Sequence, residues 1–198
     1  MSVNILPSCC LLMPHRMTQT RRAFIKTLAG TAAGLAGSGA IGAPLIKNPG
    51  LERKLSLNNM HTGEKMTAVY WADGHYMPQV LQEVDHLLRD HRSGTSIEMD
   101  RRLFDLLFLL QRDVGLHKEF QVISGYRSPE TNDMLRKQGH GVAKKSYHML
   151  GKAIDIRVPG IPLKDVQRMA LRLKAGGVGY YARSNFLHVD VGPLRHWG

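Results

Sequence analysis

Cysteine is nearly absent from this chain. Its two cysteines, Cys9 and Cys10, are adjacent near the N-terminus, and none follows them to Gly198. The long remainder therefore has no thiol for a disulfide, a nucleophile or a cysteine-based zinc site. Any metal site there has to use histidine and carboxylate ligands, and the chain contains 10 histidines. The lack of cysteine also suits an oxidising compartment.

Acidic residues are absent from residues 1–43, which have the composition of an export signal. Arg21 and Arg22 are followed by Phe24 and Lys26 and then by an uncharged stretch rich in Ala, Gly, Leu and Thr, which is typical of a twin-arginine signal. That stretch is too short and too rich in glycine to favour a membrane span, so no stable membrane anchor is expected. We expect a signal peptide, with Met17 as an alternative start, that engages the twin-arginine translocase and directs the protein to the periplasm.

The remaining chain is basic. The formal net charge is +11, and residues 1–43 contribute four basic residues and no acidic one, which leaves +7 for the mature protein. Such an excess suits a polyanionic neighbour. Nucleic acid is not an expected partner, because export removes the protein from it. In addition, no basic segment with interleaved aromatic residues for base stacking is present.

Residues 44–54, with two prolines, a glycine and charged residues, predict a flexible lead-in to a single domain over residues 55–198. A domain of about 150 residues can bury a core without disulfides. Apolar periodicities of 2 and 3.6 residues predict both strands and helices. The predicted strands cover residues 54–60, 67–71, 120–123, 153–158, 178–181 and 186–191. The predicted helices cover residues 77–92 and 162–175, a segment from the cap Asp100 to about Gly115, and a short segment that begins with Ser128 as cap and Pro129.

Two separated segments carry a candidate metal site, His148 with Asp155 in the first and His188 in the second. Apolar residues alternate with Asp155 and with His188, so both lie on the polar faces of their predicted strands. Neighbouring strands of this kind present both side chains from one face of a sheet. Gly151 permits a tight turn that brings His148 over the same point. Two imidazoles and a carboxylate leave one position of tetrahedral Zn²⁺ open, which is typical of a hydrolytic site.

Three motifs resemble those of the LAS zinc peptidases. They are Ser-Gly-Tyr-Arg-Ser at residues 124–128, Ser-x-His-x-x-Gly-x-Ala-x-Asp at 146–155 and Phe-x-His-x-Asp at 186–190. This family includes lysostaphin-type enzymes, D-Ala-D-Ala carboxypeptidases and dipeptidases, and the hedgehog signalling domain. The chain resembles most the exported murein endopeptidases of Gram-negative bacteria. The resemblance implies an α+β fold, a small antiparallel sheet backed by helices, with His148, Asp155 and His188 as the ligands of Zn²⁺.

The resemblance also implies roles for residues around the metal. Arg127 would bind and polarise the scissile carbonyl or its oxyanion, and Ser146 would lie near the substrate. Tyr126 and Tyr181 are further candidates for substrate binding, and a buried core tyrosine is the alternative for Tyr181.

One position departs from the pattern of many relatives, which carry a glutamate as general base three residues before the last histidine ligand. Here that residue is Asn185, which cannot accept a proton from water. Asp190, two residues beyond His188, shares its face on a strand and is the predicted general base. In the alternative, Asp190 holds a histidine in position or pairs with an arginine. Two histidines are weaker candidates for the base, His140 and His196.

The sequence thus predicts a periplasmic zinc peptidase that cleaves peptide cross-links of peptidoglycan. The resemblance implies bonds that involve D-centres, including those that join two diaminopimelate residues. Because the usual base position is Asn185, a non-catalytic zinc-containing peptidoglycan-binding module is an alternative. A D,D- or L,D-carboxypeptidase and a zinc amidase acting on another envelope substrate are the others.

Overall fold

The computed structural model describes residues 52–139 and 141–198. The predicted signal peptide, the lead-in up to residue 51 and His140 lie outside the described residues. Within them the chain forms one eight-stranded sheet and four α-helices. The strands are β1 Arg53–Asn59, β2 Lys65–Ala72, β3 His75–Tyr76, β4 Phe120–Ser124, β5 Ala153–Arg157, β6 Gly177–Tyr181, β7 Phe186–Asp190 and β8 Arg195–Trp197. The helices are α1 Pro78–Leu87, α2 Arg101–Val114, α3 Pro129–Lys137 and α4 Leu163–Leu173, and a 3₁₀ turn covers Tyr147–Leu150.

The sheet has the order β3-β2-β1-β4-β5-β7-β6-β8. Its pairs are antiparallel except β1 with β4 and β6 with β8, which are parallel. The predicted α+β class and the predicted strands are confirmed. The two short edge strands β3 and β8 were not predicted. Strands β5 and β7, which carry Asp155 and His188, are neighbours in the middle of the sheet, where the backbone is paired on both sides.

Helices α1, α2 and α4 bury apolar residues that pack with the apolar residues of the sheet. In α2 the apolar stripe of Leu103, Leu106, Leu107 and Leu110 is buried. Asp100 accepts a hydrogen bond from the backbone N–H of Arg102 as the predicted cap. Ser128 caps α3 by accepting the N–H of Thr131. The core joins these stripes to the apolar residues of β1, β5 and β7, Leu55, Leu57, Ile154, Ile156, Leu187 and Val189. Asp155 and His188 alternate with these core residues along their strands.

Two helices are shorter than predicted. Helix α1 ends at Leu87 instead of residue 92, because Asp90 turns the chain by accepting the N–H groups of Arg92 and Ser128. Helix α4 ends at Leu173, where Lys174 adopts a left-handed conformation with φ 49°, and Gly177 already begins β6. No helix in the described ranges combines the length and the apolar character that a bilayer crossing requires.

Candidate metal centre

Three ligand atoms converge on the polar face of β5 and β7. Nε2 of His148 lies 3.1 Å from Nδ1 of His188 and 3.2 Å from Oδ1 of Asp155. Nδ1 of His188 lies 2.9 Å from the same carboxylate oxygen. All three residues are buried, and their ligand atoms lie within 4.8 Å of one another. The structure therefore brings the three predicted ligands together, in a donor set that suits zinc.

The chain positions each ligand by local structure. Asp155 of β5 and His188 of β7 are direct partners across the antiparallel pair, which fixes both on one face. His148 comes from the 3₁₀ turn, which Ser146 caps by accepting the N–H of His148 on its hydroxyl. Gly151 ends that turn with φ 65°, and an added Cβ would lie 3.0 Å from the carbonyl oxygen of Glu98. The turn predicted at Gly151 is thus present and has a steric need for glycine.

The remote nitrogen of each imidazole is held by a hydrogen bond. Nδ1 of His148 donates to the carbonyl oxygen of Gly125 at 2.7 Å, and Nε2 of His188 lies 2.9 Å from Oδ2 of Asp190. When these remote nitrogens carry the protons, Nε2 of His148 and Nδ1 of His188 present lone pairs to a common point. Metal-binding histidines in proteins are oriented in this way, so the residues present fit a divalent metal.

The electrostatics of the three residues also suit a cation. Burial alone would raise the pKa of Asp155, but His148 and His188 outweigh it and hold that pKa well below its usual range. Burial would lower the pKa of His188, yet the hydrogen bonds and charges of Asp155 and Asp190 raise it to about 9. Protons and a metal ion compete for the same ligand atoms, so metal binding at this site should weaken as the pH falls.

Arg127 lies between β4 and the cap of α3, beside the candidate ligands. One guanidinium nitrogen is 3.7 Å from Oδ2 of Asp155 and donates to the hydroxyl of Ser124 at 3.2 Å. Its side chain is only 11% exposed. Burial lowers its pKa, while the charge of Asp155 opposes that shift, and a guanidinium remains protonated in proteins. The structure thus holds a fixed positive charge next to the three ligands.

A cavity of about 410 Å³ opens onto the ligand atoms. The predicted site residues that line it are Arg127, Ser146, His148, Asp155, Tyr181 and His188. The segment Gly141–Lys145 contributes four more lining residues. Tyr126 does not line the cavity, because it is packed in the hydrophobic core. His196 is exposed and does not line the cavity, although its neighbours on both sides in β8 do. Asn185 is also exposed, in the turn before β7.

Asp190, the predicted general base, does not line the cavity either. Its side chain is fully buried and receives the N–H groups of Gly177 and Gly192 and two nitrogens of Arg195, besides contacting His188. Burial would raise its pKa, but these partners hold the pKa well below its usual range. A carboxylate this acidic and this fully engaged is a poor proton acceptor. The geometry favours the alternative, in which Asp190 orients His188.

Sequence reasoning missed four residues of the cavity wall, Tyr147, Phe186, Arg195 and Trp197. Tyr147 lies between Ser146 and His148, and Phe186 precedes His188 by two residues on β7, so both could have been found from these neighbours. Arg195 and Trp197 lie on β8, which has three residues and no apolar alternation that marks a strand. The spacing of two between them is the signal that could have placed both on one face.

Comparison with known proteins gives a family for the whole domain. A family model described as peptidoglycan L,D-endopeptidase MepK matches residues 48–197. The Escherichia coli K12 protein named peptidoglycan L,D-endopeptidase MepK is 45% identical over 168 residues, which cover 81% of this chain and 92% of that protein. A Haemophilus influenzae protein, named probable peptidoglycan L,D-endopeptidase MepK, is 46% identical over 146 residues, or 73% of this chain and 78% of its own. The chain therefore belongs to the peptidoglycan L,D-endopeptidase MepK family of LAS-type zinc peptidases.

Proposed function

We propose that this protein is a zinc-dependent peptidoglycan L,D-endopeptidase of the periplasm. The observation that carries the proposal is the buried cluster of His148, Asp155 and His188, whose ligand atoms converge at the floor of a cavity beside Arg127. The similarity to relatives that bear this name supports the same activity here.

Each residue of the site has a role in hydrolysis of a peptide bond. His148, Asp155 and His188 would hold the zinc ion, which supplies Lewis acidity that polarises a peptide carbonyl and makes water a better nucleophile at neutral pH. Arg127 donates to the carbonyl oxygen as negative charge develops on it, because its guanidinium is fixed beside the ligands. Asp190 holds the Nε2 proton of His188 and so keeps Nδ1 free for the metal. Water adds to the carbonyl carbon, the C–N bond breaks, and the amine leaves with a proton.

The charges of the cavity support a substrate that carries carboxylates. Three cationic side chains line it, those of Arg127, Lys145 and Arg195, against one carboxylate, that of Asp155. The peptide stems of peptidoglycan carry free carboxylates, including those of diaminopimelate. An L,D-endopeptidase cleaves an internal bond between an L-centre and a D-centre, so a bond that joins two diaminopimelate residues is the proposed target.

The location is proposed from the sequence of residues 1–43. A twin-arginine signal would deliver the chain to the periplasm, where peptidoglycan lies. The mature enzyme would then comprise the lead-in of residues 44–54 and the peptidase domain of residues 55–198.

Digestion of purified sacculi tests the proposed activity. Metal-loaded mature protein should release muropeptides whose new termini show cleavage between an L-centre and a D-centre. Chelation should stop the reaction and added zinc should restore it. The His188→Ala variant should be inactive, whereas His196→Ala, which alters an exposed histidine outside the cavity, should be active. Binding to sacculi without any release would show a non-catalytic module, and loss of terminal residues alone would show a carboxypeptidase.

A further inference from the structure

The guanidinium of Arg195 is held on three sides. One nitrogen lies 2.6 Å from Oδ2 of Asp190, and the other lies 3.1 Å from Oδ1. The carbon of the guanidinium lies 5.0 Å from the ring centre of Tyr147 and 5.2 Å from that of Trp197. The paired hydrogen bonds set its plane, and the two rings limit its movement. Arg195 is thus an ordered group on an edge strand.

The same carboxylate joins Arg195 to a metal ligand. Oδ2 of Asp190 contacts both the guanidinium and Nε2 of His188, the latter at 2.9 Å. Oδ1 accepts the N–H groups of Gly177 at 3.0 Å and Gly192 at 2.8 Å. Both oxygens of Asp190 therefore have fixed partners, and the imidazole of His188 is held from the side opposite to its ligand atom.

Three glycines leave room for the close packing of the side chains around Arg195. A Cβ added at Gly177 would lie 2.5 Å from both Asp190 and Arg195, and one added at Gly179 would lie 2.4 Å from the indole of Trp197. A Cβ at Gly192 would lie 2.6 Å from the ring of Tyr147. Real Cβ atoms do not approach other atoms this closely, so any larger residue at these positions would displace the contacts. The close packing of these side chains depends on the backbone of β6 and of the segment before β8.

We propose that Arg195 is a positioning residue for the metal centre, which acts through Asp190 on the orientation of His188. The guanidinium holds the Asp190 carboxylate in place, and the carboxylate holds the Nε2 proton of His188, so that Nδ1 faces His148 and Asp155. The inference deepens the proposed function, because it concerns the same metal site. It assigns to β8, the last strand of the chain, a role in metal affinity.

Zinc affinity measured in the absence of substrate tests the assignment. Arg195→Met keeps much of the apolar stem but removes the hydrogen bonds, so chelator competition should show zinc binding weakened by about tenfold, the low end of the effect of groups that orient ligands. Arg195→Lys keeps the charge without the paired bonds and should show a smaller loss. Arg168→Met provides a matched control, because Arg168 also pairs with an aspartate but lies exposed on α4. This control should bind zinc as the unmodified protein does.

A double-variant comparison separates positioning from general destabilisation. If Arg195 acts through Asp190, Arg195→Met should add no further loss of zinc affinity in an Asp190→Asn background. Additive losses, or unchanged affinity in a folded Arg195→Met protein, would overturn the proposal. If Arg195→Met does not fold, Arg195→Lys carries the same comparison, and affinity equal to that of the unmodified protein would overturn it.

An NMR measurement on the metal-free protein provides a second readout. The ¹⁵N shifts of the His188 ring should report one fixed hydrogen-bonding arrangement, and Arg195→Met should broaden or average these signals. Identical, sharp signals in both proteins would contradict the proposal. Failure of the proposed function would look different, because the unmodified protein would then bind no zinc or release no muropeptides.

Discussion

Asp155 lies directly opposite His188 in the antiparallel pair of β5 and β7, with its Oδ1 2.9 Å from Nδ1 of the imidazole. This pairing makes the sheet register part of the candidate metal site. A slip of one residue would turn His188 to the apolar face and bring Leu187 or Val189 in its place. The apolar residues next to Asp155 and His188 in the two strands are buried in the core. A slip would expose these residues to water, and the free-energy cost of that exposure holds the register.

Asp190→Asn should weaken zinc binding by about 10–100-fold, because an amide cannot hold the Nε2 proton of His188 as a carboxylate does. Excess zinc should then restore most turnover. A general base in this position would give the opposite pattern, with zinc affinity kept and kcat lowered by about 10²–10⁴-fold. Zinc affinity and muropeptide release should be measured on the same preparation. Asp165→Asn, in the first turn of α4, is the control that should change neither quantity.

Arg127→Lys should lower kcat by about 10²–10³-fold while the protein still binds zinc in full. Lysine keeps the positive charge but lacks the planar guanidinium. In Arg127 that group is oriented by its hydrogen bond to the hydroxyl of Ser124. Steady-state cleavage of a cross-linked muropeptide, together with zinc content, checks this. Arg157→Lys alters an arginine on β5 that bonds Gln121 and does not line the cavity, and it should cost little activity. Equal turnover in Arg127→Lys would remove Arg127 from the reaction.

The sequence was sufficient to predict the central strands and the turn at Gly151, because the patterns that indicate them are local. Alternation fixed the faces of Asp155 and His188, and the spacing around Gly151 indicated the turn that presents His148. The environment of Asp190 was not accessible from the sequence, because its partners come from β6, from Gly192 and from Arg195. Strand β8 has three residues and pairs in parallel with β6, so tertiary contacts and not a periodic pattern determine it. Of the residues missed at the site, Arg195 and Trp197 depend on such non-local packing.

Asp85 offers a test of pH-dependent stability away from the metal. Burial, with the charge of Glu98 added, raises its pKa to about 6 despite a hydrogen bond from the N–H of Met99. The folded state binds the proton of the Asp85 carboxyl more tightly than the unfolded chain does. This proton therefore stabilises the folded state at low pH, and the stabilisation is lost as the pH rises through about 6. Asp85→Asn should therefore raise the free energy of unfolding at pH values near 8 by about 1 kcal/mol, allowing for partial exposure of the side chain. Urea unfolding should show that the gain vanishes near pH values of about 4, and a gain that is constant with pH would contradict this.

Replacement of both Arg21 and Arg22 by lysine should leave the precursor in the cytoplasm, because a receptor reads the paired arginines as an address. Cell fractionation and immunoblotting of the mature form measure the effect. Arg16→Lys, upstream of Met17, should leave export unchanged. Normal export of the double variant would show that the arginines act only as general positive charge.

Titration of metal-free protein with zinc, with muropeptide release measured at each point, tests the account most directly. Activity should rise in proportion to added zinc and reach its maximum at one equivalent per chain, since three protein ligands form one hydrolytic site. His148→Ala, Asp155→Ala and His188→Ala should each abolish this stoichiometric rise. Stoichiometric zinc and full release in any of the three variants would contradict the assignment of the metal centre.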